Sequence, residues 1–122
     1  MTSGSIRGAH FEDYARDYLA DRGLRLLNQN YRCRFGEIDL VMQEGETICF
    51  IEVKFRKTLL FGGAQSAIPA HKQRKIIKTA MFFIAQHRHL ANQAFRFDAF
   101  LIQQQTRASH RVNWIQGAFY GE

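Results

Sequence analysis

The segments Gly36-Glu37-Ile38-Asp39-Leu40 and Phe50-Ile51-Glu52-Val53-Lys54 are joined through Gln43-Glu44-Gly45-Glu46-Thr47, and no other stretch constrains the chain so tightly. Two runs rich in Ile, Leu, Val and Phe around a polar stretch with a central glycine read as a β-hairpin. With Glu44 and Gly45 as a two-residue turn, Gln43 pairs with Glu46, so Asp39 faces Phe50 and lies diagonal to Glu52. Side chains alternate faces along a strand, which puts Asp39, Phe50, Glu52 and Lys54 on one face. A four-residue loop keeps that parity, whereas a three-residue loop without a bulge sends Asp39 to the opposite face.

A charge inside an apolar strand costs free energy unless a partner, a metal or water compensates it. Diagonal carboxylates lie roughly 7–8 Å apart at Cα, within reach of one cation held between them. A hard cation such as Mg²⁺ takes oxygen ligands and keeps several waters, so Asp39, Glu52 and a backbone carbonyl suffice as protein ligands. Lys54 beside them can orient an attacking water or neutralise charge on a phosphoryl group. Glu-x-Lys in a strand is often a plain ion pair, and Glu52 with Lys54 alone would read that way. With Asp39 added across the hairpin, the three read as a metal-dependent phosphodiesterase site.

The charge balance suits a phosphate-rich partner: 17 Lys+Arg against 11 Asp+Glu give a formal net charge of +6, which draws polyanions at long range. The 122 residues, 46% hydrophobic, suit one domain spanning 1–122 with a single core. No apolar run is long enough to span a membrane and no signal peptide stands at the start, so a cytoplasmic location is expected. Cys33 and Cys49 cannot make a zinc site alone and read as packing residues.

Along the chain, Phe11, Tyr14, Ala15, Tyr18 and Leu19 recur at helical spacing between Ile6 and Arg22, with Gly23 placed for a left-handed helix end. On this helix Glu12 lies beside the apolar stripe, and the local pattern makes it an exposed partner of Arg16. A first strand runs from Leu24 to Arg34. Arg32 and Arg34 either point together toward phosphates or hold an edge in solvent. From Phe55 to Ala67 the mixed sequence reads as a mobile loop whose apolar residues suit a partner subunit, a groove mouth or packing over the core.

Pro69 begins a second helix running to about His87, with Ile76, Ile77, Ala80, Phe83 and Ile84 as its core stripe. Its other face is basic: His71, Lys72, Arg74, Lys75 and Lys78 crowd the first turns, where the helix dipole also favours anions. A fourth strand follows from Phe95 to Gln103, parallel to the third, with Arg96 and Asp98 as a same-face ion pair. An edge strand from Arg111 to Tyr120 closes the order helix, three strands, helix, two strands. The fold class is α/β, a mixed central sheet flanked by helices.

The succession Ala15…Tyr18-Leu19, Gly23, Asn30-Tyr31-Arg32, Gly36-Glu37-Ile38-Asp39-Leu40, Phe50-Ile51-Glu52-Val53-Lys54-x-Arg56, Lys72 and Arg96-Phe97-Asp98 closely resembles the YraN family of small bacterial proteins. The likeness extends to about Ile102. That family looks like a member of the PD-(D/E)XK, restriction-endonuclease-like superfamily and is similar to Holliday-junction resolvases. The resemblance implies Asp39, Glu52 and Lys54 as motif residues and adds Glu12 as a further carboxylate of the site, against the local reading. Ile38 stands where the superfamily name has proline. Arg56 and Lys72 match family positions, and phosphate contacts are expected of both, as of Arg34, Lys75 and Lys78.

The combined expectation is an endonuclease acting on structured or branched DNA with Mg²⁺ or Mn²⁺: Asp39 and Glu52 bind metal, Glu12 assists, Lys54 positions the water. Nucleases that cut both strands commonly act as dimers, and the apolar loop offers a surface for a homodimer. The alternatives are a non-catalytic nucleic-acid-binding module of the same fold, and an interaction protein whose loop docks a protein partner.

Overall fold

The hairpin and its neighbours form a mixed five-stranded sheet between two helices, in the expected order α-β-β-β-α-β-β. The structure is a computed structural model that describes residues 3–56, 68–104, 106 and 109–119, with side chains from His10 onward. Helix α1 (Ser3–Ala20) leads to β1 (Arg25–Cys33), β2 (Gly36–Glu44) and β3 (Thr47–Arg56). Helix α2 (Ala70–Gln86) and a 3-10 turn at Arg88–Leu90, which has no signal in the sequence pattern, connect to β4 (Phe95–Gln104) and β5 (His110–Phe119). Phe55 and Arg56 belong to β3, and the rest of the expected loop, residues 57–67, lies outside the described residues.

The strands lie in chain order, antiparallel throughout except for β3 and β4. A parallel pair needs a crossover, and α2 supplies it. Helix α1 ends as its sequence predicts: Gly23 at φ 95 donates to the Ala20 carbonyl and Leu24 to the Leu19 carbonyl, the paired bonds of a glycine-terminated helix. Pro69 stands just before α2 instead of inside it. Its carbonyl accepts the Lys72 and Gln73 amides at 3.0 and 2.9 Å, a position where a missing N–H costs nothing.

Alternation along the central strands feeds two core layers. Val41, Ile48, Phe50, Phe97, Ala99 and Leu101 pack against Ile76, Ala80 and Phe83 of α2. Leu40, Met42, Cys49, Ile51, Phe100 and Ile102 pack against Ala15 and Leu19 of α1. Each fully buried Phe or Leu contributes roughly 1.5–3 kcal/mol, so the layers fix where both helices cross the sheet.

Two departures from the expected hairpin matter. The turn is Gly45–Glu46 rather than Glu44–Gly45: Glu44 pairs with Thr47, Met42 with Cys49 and Leu40 with Ile51. A tight two-residue turn demands positive φ at its first central position, which glycine adopts freely and glutamate does not; Gly45 sits there at φ 59. The register therefore slides by two, preserving parity but carrying Asp39 from opposite Phe50 to opposite Glu52.

The second departure is a change of face. Ile38 and Leu40, two apart on β2, lie in opposite core layers. Their β1 partners Tyr31 and Gln29 do the same: Tyr31 meets Phe83 of α2 at 5.0 Å, while Gln29 bonds Asp13 and Arg16 of α1. Between them Asn30 adopts φ 60, so both strands roll over beside Asp39.

At the other end of β4 the expected Arg96–Asp98 pair forms, Nε to Oδ1 at 3.0 Å. Asp98, fully buried, also accepts Trp114 Nε1 and the Gly117 amide, each at 3.0 Å. Among the described residues no helix is long and apolar enough to cross a membrane.

Candidate active site

Asp39 occupies the point where β2 leaves β3. The ladder between them runs no further than Leu40 and Ile51, and beyond it the Val53 amide donates to Asp39 Oδ2 at 2.8 Å. Because the strand rolls over here, the carboxyl group meets residues of both helical layers. It hydrogen-bonds Glu12 of α1 and Glu52 of β3. Burial, then the neighbouring Glu52 charge, push the Asp39 carboxyl up from 3.8 to about 9, against the Val53 amide, which favours ionisation. Glu12 is also raised, first by burial and then by the Glu37 and Glu52 charges, with its bond to Asp39 opposing.

Glu52 follows Ile48 and Phe50 on the α2 side of β3 and is only 5% exposed. A carboxylate so deep needs a counter-charge, and two lysines supply it. Lys72, in the first turn of α2, makes an ion pair with Glu52 Oε2, and Lys54 Nζ lies 3.8 Å from the same oxygen. The two ammoniums compete. Burial and then the adjacent Lys72 lower Lys54 below the ordinary lysine range, despite Glu52. Burial draws Lys72 down as well, but its bond to Glu52 leaves it raised on balance.

The donor set is oxygen only, and burial together with the Glu52 charge keeps a proton on Asp39 at neutral pH that a hard divalent cation would displace. Among the described residues no three His, Cys, Asp or Glu side chains stand ready as a metal cage. A cation bound between Asp39 and Glu52 would complete its shell with water, as magnesium commonly does.

Asp39, Glu52, Lys54, Glu12 and Lys72 thus converge. Beside them a cleft of about 260 Å³ is lined by Gly36, Glu37, His71, Lys72, Lys75 and Ile76, which brings Lys75 to the rim. Lys78 lies one turn farther along α2 in a separate cleft. Arg34 is exposed at the β1–β2 turn, its guanidinium 4.9 Å from the Phe35 ring. Arg56 ends β3 in solvent and makes no hydrogen bond or ion pair among the described residues. Arg32 is held by Glu37 at 3.2 Å.

Glu12 is not the partner of Arg16. That arginine takes Asp13, Asp17 and Gln29 instead. Sequence reasoning overlooks the Val53 amide as a fixture of the site. Its only signal is the end of the hairpin ladder, which no residue type announces.

The protein-family model that matches, over residues 11–102, is described as uncharacterised protein family UPF0102. A UPF0102 protein of Vibrio parahaemolyticus is 45% identical over 111 residues, covering 91% of this chain and 89% of its own. One of Methylobacillus flagellatus is 46% identical over 112 residues, covering 92% and 95%. Another, of Stutzerimonas stutzeri, is 40% identical over 119 residues and covers 98% of both chains.

Proposed function

The chain belongs to the UPF0102 family, that of the YraN proteins, and from the cluster its fold assembles we propose that it is a nuclease using Mg²⁺ or Mn²⁺. Its substrate is structured or branched DNA. The observation that carries this reading is the convergence of Asp39, Glu12 and Glu52 from three elements, with Lys54 and Lys72 on the same buried carboxylate. A structural ion pair needs neither the second lysine nor the protonated neighbour.

Asp39 and Glu52 would hold the cation, which would polarise the phosphate and lower the pKa of a water so that it can attack as hydroxide. Asp39 would have to release its proton to bind the cation, and the Val53 amide holds its carboxyl oriented. Lys54, whose proton is loosened by burial and by Lys72, positions the attacking water. Lys72, paired with Glu52 and partly exposed, would be free to contact the phosphate where a cation neutralised that carboxylate. Glu12 shares its hydrogen bond with Asp39 and fixes the angle of that carboxyl. Lys75, Lys78, Arg34 and Arg56 contact the nucleic-acid backbone.

Cleavage of a panel of single-stranded, duplex, flapped and four-way DNA, and of RNA, tests the reading with Mg²⁺, Mn²⁺ or EDTA. Metal-dependent cutting lost in Asp39→Asn and in Lys54→Ala is the expected result. Salt-sensitive binding without cutting under any metal supports the non-catalytic module instead. What favours that second reading is the Lys72–Glu52 pair, which already satisfies the carboxylate a cation would need.

A further inference from the structure

Helix α2 carries a stripe outside the catalytic cluster. His71, Lys75, Lys78 and Phe82 follow one another at spacings of four, three and four, the repeat that aligns side chains on one helix face. The stripe begins in the cleft beside Glu52, where His71 and Lys75 both line the wall. It ends in an open, shallow cleft of about 420 Å³ lined by Phe35, Ile77, Lys78, Met81 and Phe82. There the Phe35 and Phe82 rings stand 5.8 Å apart at 69°, with the Arg34 guanidinium over Phe35 and Met81 40% exposed. The two clefts are separate but neighbouring, one lined by Gly36 at the start of β2 and the other by Phe35 just before it.

We infer that this end of α2 is a stacking platform for one unpaired base of the nucleic-acid strand that crosses the site. The inference rests on the reading above and narrows its substrate to molecules with unpaired nucleotides. Charge complementarity selects the occupant. Arg34, Lys75 and Lys78 are exposed and form no ion pair among the described residues, so the apolar floor is rimmed by uncompensated positive charge. A protein partner's apolar surface would have to desolvate those cations, whereas a nucleotide offers a flat ring to the floor and a phosphate to the rim. At 1.5 Å per residue the platform lies about 15 Å along the axis from Lys72, a few nucleotides from the reacting phosphate. Phe35 and Phe82 meet edge to face and both are half-buried, so part of their ring surface faces the cleft that a base would enter.

The test is fluorescence anisotropy in EDTA with a labelled single-stranded oligothymidylate and a blunt duplex of equal length, at two salt concentrations. Phe82→Ala should weaken the single strand about tenfold or more and leave duplex affinity and the salt slope unchanged. Phe82→Tyr, which keeps a stacking ring, should restore binding, and Lys78→Gln should lower the salt slope by about one. Thermal melts and sedimentation accompany each variant. Equal losses for both probes, or no loss, overturn the platform while leaving the nuclease reading intact. A Phe82→Ala protein that changes oligomeric state overturns it in favour of a self-association surface. Wild-type protein that binds neither probe overturns the platform and the nucleic-acid reading together.

Discussion

Val53 donates its amide to the side chain of Asp39, where a continuing hairpin would have offered it a backbone carbonyl. The carboxyl is thereby fixed to β3 although it belongs to β2. Every consequence for the site follows from that substitution of side chain for ladder, because it holds Asp39 between Glu12 and Glu52 with little room to withdraw.

Stability should depend on pH through Asp39. Its carboxyl titrates near 9 in the folded chain against an ordinary 3.8, so between those values the native state holds the extra proton and stability falls as pH rises. The contribution is complete below 3.8 and lost through about 9. In EDTA, Asp39→Asn should be more stable than wild type by about 1–2 kcal/mol near the top of that window, one pKa unit being worth about 1.4 kcal/mol. The gain should shrink toward acid pH. Urea titrations at the two ends check it; parallel curves for the two proteins would sink the assignment.

Lys72 should matter for stability as well as for any activity. Removing it leaves buried Glu52 with Lys54 alone, 3.8 Å away. Because Lys72 is itself partly exposed, the cost of Lys72→Ala should be about 1–2 kcal/mol, below that of breaking a wholly buried pair. Adding Glu52→Gln should recover most of it. A double-mutant cycle in chemical denaturation measures the coupling, and additive losses would show that the pair does not interact.

Asp98→Ala should be the most damaging single change away from the site. It strands Arg96 Nε, Trp114 Nε1 and the Gly117 amide at once, all three half-buried around a fully buried acceptor, at a cost of about 3 kcal/mol. Trp114 fluorescence reports the unfolding midpoint. An unchanged midpoint would mean that Asp98 is not their common acceptor.

The two thiols should differ in reactivity. Cys49 is fully buried, and burial pushes its thiol up to about 12, against the nearby Arg96. Since the thiolate is the reactive form, a disulfide reagent at mildly alkaline pH should reach Cys49 only after denaturant is added. Mass spectrometry of the labelled peptide decides, and prompt native labelling of Cys49 would contradict its burial.

How far the site could be read from sequence depends on which distance decides each residue. Asp39, Glu52 and Lys54 sit on one hairpin, so period-two alternation was enough to bring them together even with the turn placed one residue early. The exact facing pair hung on turn chemistry: the first central position demands positive φ, which suits Gly45 and not Glu44, and putting Glu44 there displaces the register by two. Glu12 illustrates the opposite case. Helical spacing offers it Arg16, and only the crossing of α1 over the sheet turns it to Asp39, a tertiary fact without a local sign. Likewise Asn30 looks like any polar strand residue, yet its φ of 60 rolls two strands over. The Arg96–Asp98 pair was legible because both partners lie on one strand.

The sheet has a single parallel seam, between β3 and β4, and its other strand pairs are antiparallel. Local hairpins close quickly, but this seam must wait for the whole crossover, so its loop-closure entropy dominates the time the chain needs to fold. Glu52 and Lys54 lie on the seam itself, opposite Ala99 and Leu101. Refolding kinetics of Phe97→Leu, which loosens the Phe50–Phe97 stack across it, should therefore show a slower folding limb; a change confined to the unfolding limb would place the seam after the barrier. A nascent chain that has not yet completed β4 would hold Glu52 and Lys54 on an open edge, so the candidate site is assembled only after synthesis has passed Gln104.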